Sequence, residues 1–163
     1  MTAQTMQIGD RSCRIYGADC AEYLLLQMTD EHELQRMDNE VAAIAQGAAH
    51  PFLFAAIPVE SWNDALSPWE APAVWGKQGF GGNAADTLRF LTEQIIPTLK
   101  QQYPLPENVK IILGGYSLAG LSLCGHPPRP ICSTVSPPLL PLCGFRAGWS
   151  MNSSTRYRHS AFI

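Results

Sequence analysis

The chain has 163 residues, with 11 basic against 14 acidic side chains and a formal net charge of −3. At 46% hydrophobic and 15% charged residues it is too apolar for an intrinsically disordered protein. It also contains no apolar run of about 18 residues that could cross a membrane. The mild acidity argues against a nucleic-acid or anionic-membrane partner, because both are negatively charged and bind to a clustered positive surface. We therefore expect a soluble globular domain.

Five cysteines are spread along the chain without a CxxC pair, and their odd number argues against a disulfide framework. The first ten residues contain no apolar segment behind a basic start, so no secretory signal is predicted. We therefore expect a cytoplasmic protein with reduced thiols. Cys124, His126 and Cys132 lack the paired spacing of a structural zinc site, and we expect neither a metal nor a cofactor.

The first half of the chain alternates between strand-like and helix-like patterns. Residues 14–16 and 22–26 are the first predicted strands, and the second is apolar enough to be buried on both faces. A helix should follow, because Asp30 can cap it and Glu33 completes a capping box. Apolar residues then recur at spacings of three and four until Gly47, which predicts the end of this helix.

The next segments complete an alternating order. Residues 51–59 form a continuous apolar run, typical of the middle of a parallel sheet, whereas residues 60–82 are rich in Trp, Pro and Gly and predict a long loop. A second helix should begin at the N-cap Asn83 and bend at Pro97. Residues 109–113 are a β-branched strand. The alternation predicts a three-layer α/β fold with a mostly parallel sheet.

The last of these strands runs directly into Gly115-Tyr116-Ser117-Leu118-Ala119. A serine between a strand and a helix, with small residues two positions before and after it, is the pattern of a nucleophile elbow. Larger neighbours would collide with the sharp turn, and the helix N-terminus favours developing negative charge. The pattern predicts Ser117 as a nucleophile and the Leu118 N–H as an oxyanion donor. The alternative is a Gly/Ser-rich connection without chemistry.

Four segments of the chain resemble esterases of the α/β-hydrolase superfamily, in the esterase D and enterochelin-esterase-like group. They are residues 58–69, 80–91, 95–97 and 114–120. The resemblance covers about residues 20–121 and stops just after the elbow. It implies part of an α/β-hydrolase sheet, hydrolysis of a small acyl ester through Ser117, and a histidine base oriented by an acid. It also implies a second oxyanion N–H near Gln27, just past the strand at 22–26.

The candidate substrate-binding residues lie on the tryptophan-rich segment and in the elbow: Trp62, Asn63, Trp69 and Tyr116. Together with Trp75, the two tryptophans could wall an acyl pocket, or they could simply fold their loop onto the domain. Asn63 follows an apolar strand at the sheet edge where ligands of α/β proteins usually bind. Residues 79–83 lack the lysine of a phosphate-binding loop and predict a turn beside the site.

The remaining triad members are harder to assign. No Asp or Glu follows Ser117, although the family order is serine, acid, histidine. His126 and His159 do follow it, and each is a candidate base or an ordinary surface histidine. Because a serine needs a positioned base, and that base needs a carboxylate, we expect weak or no activity. The rival interpretations are a non-catalytic α/β binding or interaction module, and an amidase or thioesterase that uses the same serine.

The composition changes abruptly after residue 120. Residues 1–120 carry a charge of −7, whereas residues 121–163 carry +4, with four arginines, six prolines and no acid. We interpret the first part as the N-terminal portion of an α/β-hydrolase domain and the second as an irregular or disordered tail, either native or the product of a shifted reading frame. A sheet without its later strands has an exposed edge, which predicts self-association.

Overall fold

Strands and helices alternate along most of the chain that the computed structural model describes, which is residues 3–17, 20–74 and 76–124. The strands are β1 (Gln4–Ile8), β2 (Arg11–Gly17), β3 (Tyr23–Thr29), β4 (Phe52–Pro58), β5 (Glu70–Ala71), β6 (Phe80–Gly81) and β7 (Lys110–Gly114). The helices are α1 (Glu31–Leu34), α2 (Met37–Gly47), α3 (Trp62–Leu66), α4 (Ala84–Phe90), α5 (Ile96–Gln102) and α6 (Ser117–Cys124), with a π-helical turn at Leu91–Ile95 between α4 and α5.

Five strands form the main sheet, in the order β1-β2-β4-β3-β7. β3 is parallel to both of its neighbours, β4 and β7, while β2 is antiparallel to β1 and to β4. Four of these five strands therefore run in one direction, which confirms the predicted, mostly parallel α/β architecture. β7 is an outer strand of this sheet as far as the chain is described, and self-association through an exposed edge stays a prediction.

The central strand β4 is buried on both faces, as its continuous apolar run predicts. Leu53, Ala55 and Ile57 face an apolar cluster that also contains residues of the π-helical turn and of α5. Phe54 and Ala56 face a second cluster, to which α2 contributes buried side chains. Helices therefore cover both sides of the sheet and make three layers.

The helix predicted after residue 30 is interrupted. The capping box is present, because the Glu33 N–H donates to Asp30 Oδ1 at 2.7 Å, but α1 ends at Leu34 and α2 starts separately. At the break, Arg14 Nη1 donates to the Leu34 carbonyl at 2.9 Å and lies 3.8 Å from Asp38 Oδ1. A side chain from β2 thus satisfies a carbonyl that a continuous helix would have used. Gly47 is the last residue of α2, as predicted.

The prediction of a long loop over residues 60–82 is wrong. This stretch contains α3 and a small antiparallel ribbon made of β5 and β6. The ribbon needs glycine where backbones approach closely: a Cβ on Gly81 would lie 2.8 Å from Asp64 Oδ1, and Gly82 has a φ of +77°. The Gly82 N–H donates to Ser67 Oγ at 2.7 Å. The glycines therefore serve the packing of the ribbon.

Pro97 disturbs its helix as predicted, but the disturbance lies before the proline. The turn that precedes it is π-helical, and the Ile96 N–H donates five residues back, to Leu91 O. Proline has no N–H to give to the usual acceptor, and the extra residue of the π turn accommodates that loss. In the part of the chain that is described, no helix is long and apolar enough to span a membrane.

Candidate functional site

The elbow lies at the carboxyl edge of the sheet. Gly114, the last residue of β7, is paired in register with Gln27 of β3, and Thr29 at the end of β3 is paired with Pro58 at the end of β4. The loops that leave these three parallel strands therefore start side by side. Two residues separate the end of β7 from Ser117, the first residue of α6.

Ser117 adopts a left-handed backbone conformation, with φ at +52°, and its side chain is exposed. Among the described residues only one other non-glycine residue, Cys20, has a positive φ. Such a conformation is strained for a residue with a Cβ, and it persists only where the surroundings enforce it. The serine is thus held on a sharp turn, pointing outward, at the edge where the loops meet.

The small residues on either side of the serine have a steric explanation. A Cβ on Gly115 would lie 2.8 Å from both the carbonyl carbon and the Cβ of Ala119, and 3.0 Å from Gly120 N. Ala119 is fully buried, so it cannot move away. The Gly120 N–H also donates to the Tyr116 carbonyl at 3.3 Å, which closes the turn. Alanine fits at position 119 because the space for its methyl group comes from the glycine at 115.

Leu118 follows the serine in the first turn of α6. N–H groups in the first turn of a helix have no partner within that helix and carry the positive end of its dipole. The Leu118 side chain is half-buried and packs against the main apolar cluster, which anchors this turn.

Two of the predicted substrate-binding residues meet beside Ser117. The rings of Trp62, at the start of α3, and Tyr116, immediately before the serine, have centroids 5.5 Å apart and are inclined by 37°. Trp62 is half-buried against the core, and Tyr116 is 47% exposed. The pair forms an aromatic surface next to the serine.

A carboxylate that was not predicted as a site residue affects the ionisation of this surface. Glu33 of α1 places negative charge near the Tyr116 hydroxyl. Burial, followed by the hydrogen bond and the negative charge of Glu33 and then the charge of Asp30, raises the pKa of Tyr116 to about 12. Burial is also the main cause that raises the pKa of Glu33. Its Oε2 atom is buried and has no hydrogen-bond partner among the described residues.

Gln27 lies inside β3 and not after it, because this strand continues to Thr29 and the predicted end at residue 26 is too early. It pairs in register with Gly114, so it does lie next to the elbow strand. Its side-chain Nε2 donates to Glu40 Oε1 at 3.0 Å. The role of Gln27 as an oxyanion donor stays a prediction.

The other predicted residues are spread more widely. Asn63 is the second residue of α3 and is half-buried, whereas Trp69 is 42% exposed and its backbone lies against Gly82 in the ribbon. Three further candidates, Trp75, His126 and His159, lie outside the described residues. Among the residues that are described, no group of three or more His, Cys, Asp and Glu could hold a metal ion.

Neither a protein-family model nor a curated protein sequence matches the chain. Solved structures do. An IroE-like serine hydrolase from Shewanella oneidensis is 16% identical with a TM-score of 0.59, over 74% of this chain and 44% of that one. The siderophore hydrolase EstA from Aspergillus nidulans is 16% identical with a TM-score of 0.53, over 74% of this chain and 50% of that one.

These two likenesses are at the level of the fold. They confirm the predicted α/β architecture with a mostly parallel sheet, which the chain shares with these two hydrolases. The chain spans half or less of the length of the two hydrolases.

Proposed function

We propose that this chain is a serine-hydrolase-like protein whose Ser117 is the nucleophile of a carboxylesterase. The observation that carries the proposal is the φ of +52° at an exposed serine between the last strand of the sheet and a helix. Strained residues of this kind concentrate at functional sites. The fold likeness to two hydrolases supports the same class of chemistry.

The proposed reaction is acyl transfer from a small ester. Ser117 Oγ forms a bond to the carbonyl carbon and gives its proton to a base, the ester's alcohol leaves with a proton, and water then releases the acid. The Leu118 N–H stabilises the oxyanion, helped by the positive end of α6. We propose the second N–H donor near Gln27, which pairs in register with Gly114 at the end of the elbow strand.

The proposed binding surface for the acyl substrate consists of Trp62 and Tyr116, with Asn63 in α3 and Trp69 just before β5. The contact between the first two rings, 5.5 Å from centroid to centroid, offers apolar area with a phenol hydroxyl at its edge. A flat apolar or aromatic group on the substrate would suit this surface.

Turnover is proposed to be impaired. The sequence contains no Asp or Glu after Ser117, so no carboxylate is available in the usual position to orient a histidine. His126 and His159 remain the candidate bases. We expect acylation of the serine to be slow and hydrolysis to be slower, in a cytoplasmic protein that uses no cofactor.

Labelling with a fluorophosphonate tests the nucleophile, because the reagent phosphonylates an activated serine and releases fluoride. We expect one label per chain, located at Ser117 by peptide mass spectrometry and lost in Ser117→Ala. Ser12→Ala is the matched control, since Ser12 is an exposed serine on β2 away from the elbow. The label should remain in this variant.

No labelling of a folded chain, or labelling that survives in Ser117→Ala, would contradict the proposal and favour a non-catalytic binding module. If the serine is labelled, a panel of matched ester, amide and thioester substrates distinguishes an esterase from an amidase or a thioesterase. Release of the first product without the second would indicate an acyl-enzyme that is not hydrolysed.

A further inference from the structure

A polar cleft lies at the same edge of the sheet as the elbow, but no residue of the elbow lines it. The cleft has a volume of about 690 Å³. Three segments form its walls: the turn between β1 and β2, helix α3, and α4 together with the π-helical turn that follows it. Small-molecule sites in proteins span roughly 300–1,000 Å³, so the polar cleft is large enough for a small organic ligand.

Helix α3 presents different side chains to the polar cleft and to the elbow. Its N-cap Ser61 and the residues Asp64 and Ala65 are three and four positions apart, so they share one face of the helix, and all three line the cleft. Trp62, whose ring lies 5.5 Å from that of Tyr116, does not line it. A ligand in the polar cleft would therefore lie beside the proposed acyl site and not in it.

The walls of the polar cleft are held in place by contacts with one another and with the sheet. Thr87 Oγ1 of α4 donates to the Ala65 carbonyl of α3 at 2.7 Å, which ties these two helices together. On the third wall, Arg11 Nη1 donates to the Pro58 carbonyl at 3.4 Å, and the guanidinium carbon lies 4.5 Å from the centroid of the Phe90 ring. A site whose walls are already fixed loses less conformational entropy when a ligand binds.

Four polar side chains on these walls are available to a ligand. Ser61 and Asn83 are the N-caps of α3 and α4, but neither side chain makes a capping hydrogen bond. The side chains of Asp64 and Gln94 take part in no hydrogen bond or ion pair among the described residues. The hydroxyl and the two amides each donate and accept hydrogen bonds, whereas the carboxylate only accepts them. The polar cleft therefore offers both donors and acceptors.

The charges around the polar cleft nearly balance. Asp86 Oδ1 lies 3.1 Å from Arg89 Nη1, and Asp10 Oδ1 lies 3.9 Å from Arg11 Nε, so Asp64 is the carboxylate on these walls that has no cationic partner among the described residues. An anion would be repelled by the carboxylates, and a simple cation would leave the amides without a partner. A hydroxyl group donates to a carboxylate and both donates to and accepts from an amide, so it suits this set of side chains.

We propose that the polar cleft binds a carbohydrate of one or two sugar rings. Asp64 accepts hydrogen bonds from its hydroxyl groups, and Ser61, Asn83 and Gln94 exchange hydrogen bonds with the remaining ones. A hydrogen bond to a charged acceptor is the strongest of these contacts, so Asp64 contributes most of the affinity. This binding site is independent of the proposed role of Ser117, and a failure of fluorophosphonate labelling does not bear on it.

Titration of the ¹⁵N-labelled chain with sugars, followed through its amide chemical shifts, tests the proposal. The probes are the methyl glycosides of glucose, galactose and mannose and the disaccharides maltose and lactose, each at millimolar concentrations. We expect at least one of them to cause saturable shifts that are confined to residues 61–65 and 83–94. The absence of a saturable shift with every sugar would overturn the proposal.

Asp64→Asn should weaken the binding of that sugar about tenfold, because a neutral acceptor replaces a charged one. The control is Glu93→Gln, which removes the same charge from an exposed acid of the π-helical turn that does not line the polar cleft. Gln94→Ala is a second test, since its exposed side chain is not needed for folding, and it should also weaken binding. Equal affinity in Asp64→Asn, Gln94→Ala and Glu93→Gln would contradict the assignment of the site.

Two further titrations separate this proposal from its alternatives. Ser117→Ala should bind the sugar with the affinity of the parent chain, because the elbow does not line the polar cleft. Loss of binding in this variant would place the sugar at the elbow and overturn the proposal. Spermidine tests for a cation site: saturable binding of this polyamine to the same residues, with none of the sugars bound, would also overturn it.

Discussion

The backbone of Gly115 packs directly against the methyl group of Ala119. A Cβ at position 115 would lie 2.8 Å from the Ala119 Cβ, closer than two non-bonded carbon atoms normally approach. Since Ala119 is fully buried, this contact fixes how α6 leaves β7. The geometry of the serine turn depends on the absence of one methyl group.

Gly115→Ala should therefore disrupt the elbow. We expect it to destabilise the fold by about 1–3 kcal/mol, the usual cost of an overpacked site, and to abolish labelling of the neighbouring serine. Urea denaturation and labelling measure the two effects. The control is Gly47→Ala, because a Cβ there meets nothing within 4 Å. If both alanine variants kept the parent's stability, the close contact would have no energetic consequence.

Ser117→Gly should be more stable than Ser117→Ala. Glycine adopts a φ of +52° without strain, whereas alanine does not, and the left-handed conformation costs a residue with a Cβ about 1 kcal/mol. Neither variant can be labelled, so unfolding free energies are compared directly. At Ser12, in the extended strand β2, the order should reverse, because glycine weakens a strand. The same order at both positions would argue against strain at Ser117.

Cys13 and Cys20 should differ sharply in reactivity. Cys13 is fully buried, and burial, only partly offset by the charge of Arg11, raises the pKa of its thiol to about 11, whereas Cys20 is exposed. Since the thiolate is the reactive form, iodoacetamide at pH 8 should modify Cys20 at least ~100-fold faster. Peptide mass spectrometry of the native chain measures this ratio. The two rates should converge in urea, and modification of Cys13 without unfolding would show that the core opens there.

The parts of the fold that follow from local pattern could be predicted from the sequence. The run at residues 51–59 became β4, because a strand that is buried on both faces carries apolar side chains at every position. The β-branched residues before the elbow became β7, whose side chains are mostly half-buried. β1 was missed because its residues are mostly polar and only Ile8 is buried. β1 forms by pairing with β2, and the pairing of two strands cannot be predicted from a local sequence pattern.

The candidate site divides in a similar way. Ser117 and its small neighbours could be predicted because a sharp turn restricts the residues within it. The effect of Glu33 on the pKa of Tyr116 joins residues far apart in the chain and could not be found from spacing. The only signal was topological: both follow strands that are neighbours in the sheet, β3 and β7, so their loops start at the same edge.

The position of Glu33 should make it a burden on stability. Burial raises the pKa of its carboxyl above the ordinary value of 4.5, so between these two values the folded chain binds more protons than the unfolded chain. The unfolding free energy contributed by this group therefore falls as pH rises through that interval, and the penalty is complete above it. Because the group is partly exposed, the penalty should be less than about 1 kcal/mol.

Glu33→Gln removes this penalty, so we expect it to gain stability relative to the parent at pH 7 and to lose that advantage as pH approaches 4. Urea denaturation at several pH values gives the difference, and Glu31→Gln, on the exposed side of the same helix, should show no such trend. A difference that does not change with pH would mean that ionisation of Glu33 is not its cause.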